Sequence, residues 1–244
     1  MKINSFRGLN ALQLKILAMI FMVMDHAWAT LPGGGEWLTC VGRIAFPIFS
    51  FLIAEGYAHT RDPEAYLRRM LLWAVITEIP FNFITAGGFV NPLHQNVLFT
   101  FALSMFIIGR MEKARGRGGV LAAVGVAAWM GIGYVLGFLT FVDFFGYGVV
   151  MTAAFWLFRG NRLVQFLMIA AINVLLMEGR VYPVTLFGLE CSIPQQAFAL
   201  LAFIPIWLYN GERGPDNKLI RRLCYAFYPA HMVVLVALAR FVFR

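Results

Sequence analysis

The stretch Leu12 to Leu31, LQLKILAMIFMVMDHAWATL, is long and apolar enough to cross a bilayer, which takes about 20 residues of helix, yet it holds Lys15, Asp25 and His26. Lipid penalises all three groups, so a span that keeps them is expected to turn them toward protein or a polar cavity. The rest of the chain agrees with the membrane setting. Of 244 residues, 61% are hydrophobic and only 13% charged, too little polar surface to cover a soluble globule. The apolar run follows MKINSFRGLN directly and passes every plausible small-residue cleavage position, so a retained span is expected and not a removed signal peptide. Cys40, Cys191 and Cys224 lack metal or redox spacing and read as core fillers, and no metal is expected.

Further apolar runs of near-spanning length occur at about 38–59, 66–86, 94–111, 118–139, 143–158, 162–178, 195–209 and 219–242. They are continuous, not alternating, and in lipid every backbone N–H needs an internal partner, so helices are expected. The fold class is therefore all-α: a polytopic transmembrane bundle of about nine spans in a single domain, 1–244. Lys and Arg mark every second loop: Lys2 and Arg7; Arg61, Arg68 and Arg69; Arg110, Lys113, Arg115 and Arg117; Arg159 and Arg162; Arg213, Lys218, Arg221 and Arg222. The intervening loops hold almost none, Arg180 excepted, which places the N-terminus in the cytoplasm and the C-terminus outside. Topology and contact with the lipid bilayer thus account for the net charge of +8, and nucleic acid is not expected as a partner.

Depth follows from topology. His26 lies eleven residues beyond Lys15, on nearly the same helix face and roughly 16 Å along the axis. Asp25 points about 100° away from His26 and needs a partner on another helix; Arg43, at similar depth, is the expected one. Glu78 and Asn82 come from the third run, His94, Gln95, Asn96 and Thr100 from the fourth, Tyr228 and His231 from the last. Pro47, Pro80, Pro205 and Pro229 are expected to interrupt their helices and free carbonyls around a buried wet cavity. Plainer readings stand beside these. Asp25, Arg43 and Glu78 can serve as a structural ion network, Glu55 and His59 as a solvated helix pair, and His94 as a wet interfacial residue. Trp28, Trp37, Trp73, Trp156 and Trp207 fit interfacial anchors, and PGGGE lacks the lysine and the preceding strand of a phosphate loop. Deep histidines that titrate near neutrality favour function at His26 and His231.

The runs LKILAMIFMVMDHAW, GRIAFPIFSFLIAEGYAHTRDPEAYLRRML, TEIPFN, NVLFT, WLYNGERG and FYPAH resemble the TraX family of bacterial membrane proteins, in order over most of the chain. That resemblance implies a multi-pass protein of the bacterial inner membrane and, from the family's founding member, a link to acetylation of a pilin N-terminus. A weaker similarity joins the chain to membrane acyltransferases of cell-envelope sugars, which place a basic residue and then a histidine in the first helix as Lys15 and His26 do. His231 is similar to their late-helix histidine. Their additional basic motifs have no counterpart mapped here.

The chemistry expected is acetyl transfer from acetyl-CoA to an amine or hydroxyl. An imidazole is suited to take the acceptor's proton, and His26 is the first choice. Arg43, Asn96 or Tyr228 could donate to the oxyanion, and an acetyl-imidazole on His26 or His231 is an alternative route. Lys15, Arg68, Arg69, Arg221 and Arg222 are the residues expected to hold the phosphates of coenzyme A. The acceptor is unknown, a small membrane protein or an envelope glycan. A proton-coupled transporter and a noncatalytic assembly factor remain the readings from other classes, although no repeated halves of a transporter are visible.

Overall fold

The computed structural model describes residues 8–177, 179–186 and 189–242, so Lys2 and Arg7 of the basic count lie outside the described residues. Helix α1 spans Ala11–Thr30 and starts on a capping box, Asn10 accepting from the Gln13 backbone at 3.0 Å while Gln13 returns to Asn10 N at 2.9 Å. The second apolar run is broken into α2, Trp37–Gly42, and α3, Ala45–His59. Pro47 gives the reason: it has no N–H for the Arg43 carbonyl, so the helix restarts there. Asp62 caps α4, Pro63–Ala86, with proline in its first turn, and Gly87 ends it at φ +69°. Asn96 caps α5, Val97–Arg115. Then come α6, Gly119–Leu139, and α7, Phe145–Leu157.

The last third departs from the expected pattern. The seventh run forms α8, Arg162–Ala170, continued by a π-helical turn at Ala171–Leu176. The eighth is a 3₁₀ segment, Gln195–Ala202, leading into the short α9, Phe203–Trp207. Between them an antiparallel hairpin, β1 Val181–Leu186 and β2 Leu189–Pro194, pairs Val181 with Pro194 and Val184 with Cys191. The purely helical expectation is corrected there: VYPVTL and LECSIP are β-branched, proline-bearing segments outside the apolar runs. The final helix, α10, is Lys218–Phe241. Pro80 and Pro229 sit inside continuous helices α4 and α10 and do not end them, contrary to expectation.

Among the described residues four helical stretches are long and apolar enough to cross a membrane: Ala11–Thr30, Trp37–His59, Gly119–Leu139 and Lys218–Phe241. Helices α3, α5 and α7 form the centre, where Ile48, Met105, Ile108, Met151 and Phe155 are almost wholly buried. Helix α6 packs outside them and exposes Val120, Leu121, Val124 and Leu139. Two close approaches depend on glycine: a Cβ on Gly137 would meet the Gly146 backbone, and one on Gly42 would overlap Asp25.

The helix-end contacts sort into two groups. At one end Leu9 bonds Leu208 O at 2.7 Å, Arg159 pairs with Glu55 at 2.6 Å and donates to His59 at 3.0 Å, and Arg213 reaches His59 O at 3.2 Å. At the other, Arg180 pairs with Glu36 at 2.6 Å and Gln95 exchanges backbone bonds with Phe141 and Asp143 at 2.8 and 2.9 Å.

Candidate functional site

The polar residues of the sequence converge near the end that holds Glu36 and Gln95. Helices α1 and α10 meet so that His26 Nδ1 lies 2.7 Å from His231 Nε2, with the rings nearly parallel. His231 Nδ1 lies 2.9 Å from Phe227 O one turn back. A carbonyl can only accept, so His231 carries its proton on Nδ1 and offers the Nε2 lone pair. His26 then donates from Nδ1, and its own Nε2 is left as the basic position. This tautomer assignment follows from the hydrogen-bond pattern. The direct contact joins a residue of the first long helix to one of the last, 205 positions apart.

Asp25 finds the expected partner: Arg43 Nη2 is 2.5 Å from its Oδ1. Thr39 Oγ1 donates to the same carboxylate oxygen at 2.7 Å and accepts from Arg43 at 3.2 Å. Gln195 Nε2 lies 3.4 Å from both Thr39 Oγ1 and Tyr182 Oη, tying the hairpin to this cluster. The Tyr182 hydroxyl also meets Cys40 Sγ at 3.6 Å, and that bond chiefly pushes its pKa up to about 12. The close approach of α2 to α1 is possible because residue 42 has no side chain.

Glu78 does not join the Asp25 and Arg43 network as expected. Its Oε2 accepts from Asn96 N at 3.2 Å and Asn96 Nδ2 at 2.6 Å, placing a carboxylate at the start of α5 where the helix dipole favours it. Asn96 Nδ2 also donates to Ala74 O at 2.8 Å, and its Oδ1 caps Leu98 N at 3.0 Å. With its amide protons spent on the Glu78 carboxylate and the Ala74 carbonyl, Asn96 is not a free oxyanion donor, which corrects that expectation. Tyr228 is buried beside His26 and His231, with ring centroids 6.3 and 5.7 Å away. Its own O–H remains able to donate.

Asp143 is the member that sequence reading missed, because it stands at the start of an apolar run. His94 Nε2 lies 3.2 Å from its Oδ1, and that hydrogen bond raises the His94 pKa above its ordinary 6.5. Thr100 Oγ1 donates to Asp143 O at 2.6 Å, and Phe144 N to its Oδ1 at 3.1 Å. Phe141, Phe144 and Phe145 around it hold φ of 52°, 58° and 45°, a left-handed backbone that such residues rarely adopt.

The expected phosphate-holding residues lie apart from this cluster. Arg68 and Arg69 are in the second turn of α4, and Arg221 and Arg222 in the first turn of α10, which packs on α4. Trp73 of α4 stacks on Tyr225 of α10 at 5.7 Å, and Arg69 lies over Tyr66 at 5.8 Å. Arg221 pairs with Asp216 at 3.1 Å, while half-buried Lys15 has no ion pair among the described residues.

Fold and site together define a helical membrane protein whose apolar helices enclose a histidine-centred polar cluster near one end. The chain belongs to the TraX family: residues 11–239 match the family described as TraX protein. Along nearly its whole length it is similar to a probable fimbrial assembly protein, FimC of serogroup H1, from Dichelobacter nodosus, with 27% identity over 249 residues covering 95% of this chain and 96% of that protein. Protein TraX of Escherichia coli strain K12 is 31% identical over 120 residues, 48% of this chain and 46% of that protein. No solved structure matches the chain.

Proposed function

We propose that the protein is a multi-pass acetyltransferase of the bacterial cytoplasmic membrane. It would move acetyl from acetyl-CoA to an amine or hydroxyl of a membrane-associated or envelope acceptor, such as a pilin-type N-terminus or a glycan. The observation that carries this reading is the contact of His26 Nδ1 with His231 Nε2 at 2.7 Å, with His231 Nδ1 committed to Phe227 O. It leaves His26 Nε2 as an oriented base inside a bundle where the Tyr228 ring lies 6.3 Å from the His26 ring. In the proposed step the acceptor gives a proton to His26 Nε2 as its nitrogen or oxygen bonds to the thioester carbonyl carbon. Tyr228 donates to the developing oxyanion. The carbon–sulfur bond then breaks, and His26 returns the proton to the departing thiolate. An acetyl-imidazole route through the same nitrogen uses the same atoms.

The helix-end contacts support an arrangement of nine passes. Residues 9, 59, 159, 208 and 213 meet at the end we assign to the cytoplasm, and 36, 95, 142 and 180 at the outer end. In this arrangement Lys15, Arg68, Arg69, Arg221 and Arg222 would face the anionic, cytoplasmic donor. Lys15, Arg68 and Arg222 are the freer of these among the described residues, since Arg221 is held by Asp216 and Arg69 lies over Tyr66.

A second reading, a noncatalytic assembly factor, is favoured by the name of the fimbrial assembly relative. Incubating the purified protein with labelled acetyl-CoA separates the two. Release or transfer of acetyl supports the enzyme, binding without turnover moves the assembly reading ahead, and absence of binding removes acetyl-CoA from the proposal.

A further inference from the structure

At the end of the bundle assigned to the cytoplasm, α3, the turn after α7, α8 and α9 leave an open cleft of about 520 Å³ between them. That volume is in the range of small-molecule sites, about 300–1,000 Å³. Glu55, Arg159, Arg162, Trp207 and Tyr209 are among the residues that line it. The two arginines are not equivalent. Arg159 is held by Glu55 at 2.6 Å and by His59 at 3.0 Å. Arg162, exposed at the start of α8, has no ion pair or hydrogen-bonded side chain among the described residues. The cleft therefore keeps one guanidinium whose charge none of the described residues neutralises.

The chemistry of a ligand follows from what flanks the cleft. A free guanidinium, with its planar fork of donors, suits the paired oxygens of a phosphate. Next along the chain from Arg162, Leu163 and, one turn further, Leu167 are exposed. Before Trp207, Ile204 and Leu201 are exposed as well. Phe166 packs on Phe203 and Trp207 at 5.2 and 5.9 Å, so α8 and α9 stand side by side, and these apolar side chains lead away from the cleft along both. A soluble nucleotide would have no use for them. The rings that could stack its base are also engaged already: Phe51 meets Tyr209 edge-on at 5.4 Å, and Trp207 meets Phe203 at 5.7 Å. A phosphate that carries acyl chains uses both parts of the site, as basic pockets between membrane helices do. A zwitterionic headgroup would bring an ammonium up to the guanidinium, and an anionic one avoids that repulsion.

We propose that the cleft between α8 and α9 holds the headgroup of an anionic phospholipid from the adjacent leaflet, with Arg162 on its phosphate and the acyl chains along Leu163, Leu167, Leu201 and Ile204. The site lies apart from the histidine cluster and does not depend on the acyl-transfer reading. Bound lipid would brace α8 and α9, which are only nine and five residues long, against each other.

The test uses the purified full chain in an uncharged detergent, with phosphatidylglycerol as the probe and phosphatidylcholine of identical acyl chains as the control. Phosphatidylglycerol should raise the unfolding midpoint saturably and further than phosphatidylcholine. The lipid fraction giving half the effect should rise about fivefold in Arg162→Gln, as for one basic group lost from an anionic surface. It should stay unchanged in Arg117→Gln, which removes an exposed arginine outside the cleft. Equal responses to the two lipids, an unaltered response in Arg162→Gln or an equal loss in Arg117→Gln would overturn the site, since apolar contact or diffuse attraction would then suffice. Glycerol 3-phosphate and ADP, added without lipid, separate a free phosphate from a headgroup. A saturable shift with either that Arg162→Gln abolishes, without a phosphatidylglycerol-specific shift, would give the cleft to a soluble ligand and overturn the proposal. If Arg162→Gln does not fold, Arg162→Ala, a better helix former, is judged by the same criterion.

Discussion

His26 on α1 and His231 on α10 are joined nitrogen to nitrogen at 2.7 Å, and the Phe227 carbonyl fixes which ring donates. The pair is asymmetric: His26 is left with a free basic nitrogen, and His231 orients it. On the acyl-transfer reading, His26→Gln should lower acetyl turnover by on the order of a hundredfold, as for a lost general base. His231→Gln should lower it less and flatten the dependence on pH. Acetyl transfer measured across pH in both variants checks this, and a larger loss in His231→Gln would reassign the base to α10.

Asp25 and Arg43 form a partly buried ion pair, with side chains 24% and 18% exposed. Asp25→Asn should cost about 2 kcal/mol of stability, toward the low end for a broken pair because neither side chain is fully buried. In a double-mutant cycle with Arg43→Gln, measured by unfolding in detergent, the two changes should be clearly less than additive. Additive losses would mean that the pair contributes nothing as a pair.

Gly42→Ala should destabilise the protein by about 1–3 kcal/mol, because the new methyl would overlap Asp25 and push α2 away from α1. Gly87→Ala is a useful contrast. Nothing lies near a Cβ there, and its cost comes only from the positive φ of +69°. Unfolding midpoints of the two variants compare the two effects, and the loss should be larger at position 42.

The His94 and Asp143 pair gives stability a pH dependence. Its hydrogen bond to Asp143 raises the folded-state pKa of His94 above 6.5, so the contribution is fully present below that value and is lost as pH rises through the raised one. Unfolding midpoints measured from mildly acidic to mildly alkaline pH should fall over that window. In Asp143→Asn the fall should shrink, and an undiminished fall would assign the dependence to another group.

The proposed topology is checked by reporters. A fusion after Lys113 should report cytoplasmic and one within Gly33–Glu36 external. The reverse result would exchange the two ends of the bundle and, with them, the side from which donor and acceptor enter.

Hydropathy alone located the helical segments, because in lipid a long apolar run has no alternative to a helix that satisfies its own backbone. The caps went unread in the sequence, although Asn10, Asp62, Asn96, Asn161 and Asn217 are of the residue types that favour such positions and each accepts from a backbone N–H in the first turn of the helix that follows. Spacing also put Asp25 on a face away from His26 and at the depth of Arg43, and the structure joins that pair. Contacts between distant segments were not legible, because periodicity says which way a side chain points along one helix and nothing about which helix arrives opposite. Only packing decided that His26 meets His231, that Glu78 turns to the start of α5 and not to Arg43, and that Asp143 belongs to the cluster. The hairpin was hidden for a related reason. Its pairing of Val181 with Pro194 and its tie to Thr39 through Tyr182 and Gln195 are made across space, by short segments whose own sequence is too brief and too mixed to announce them.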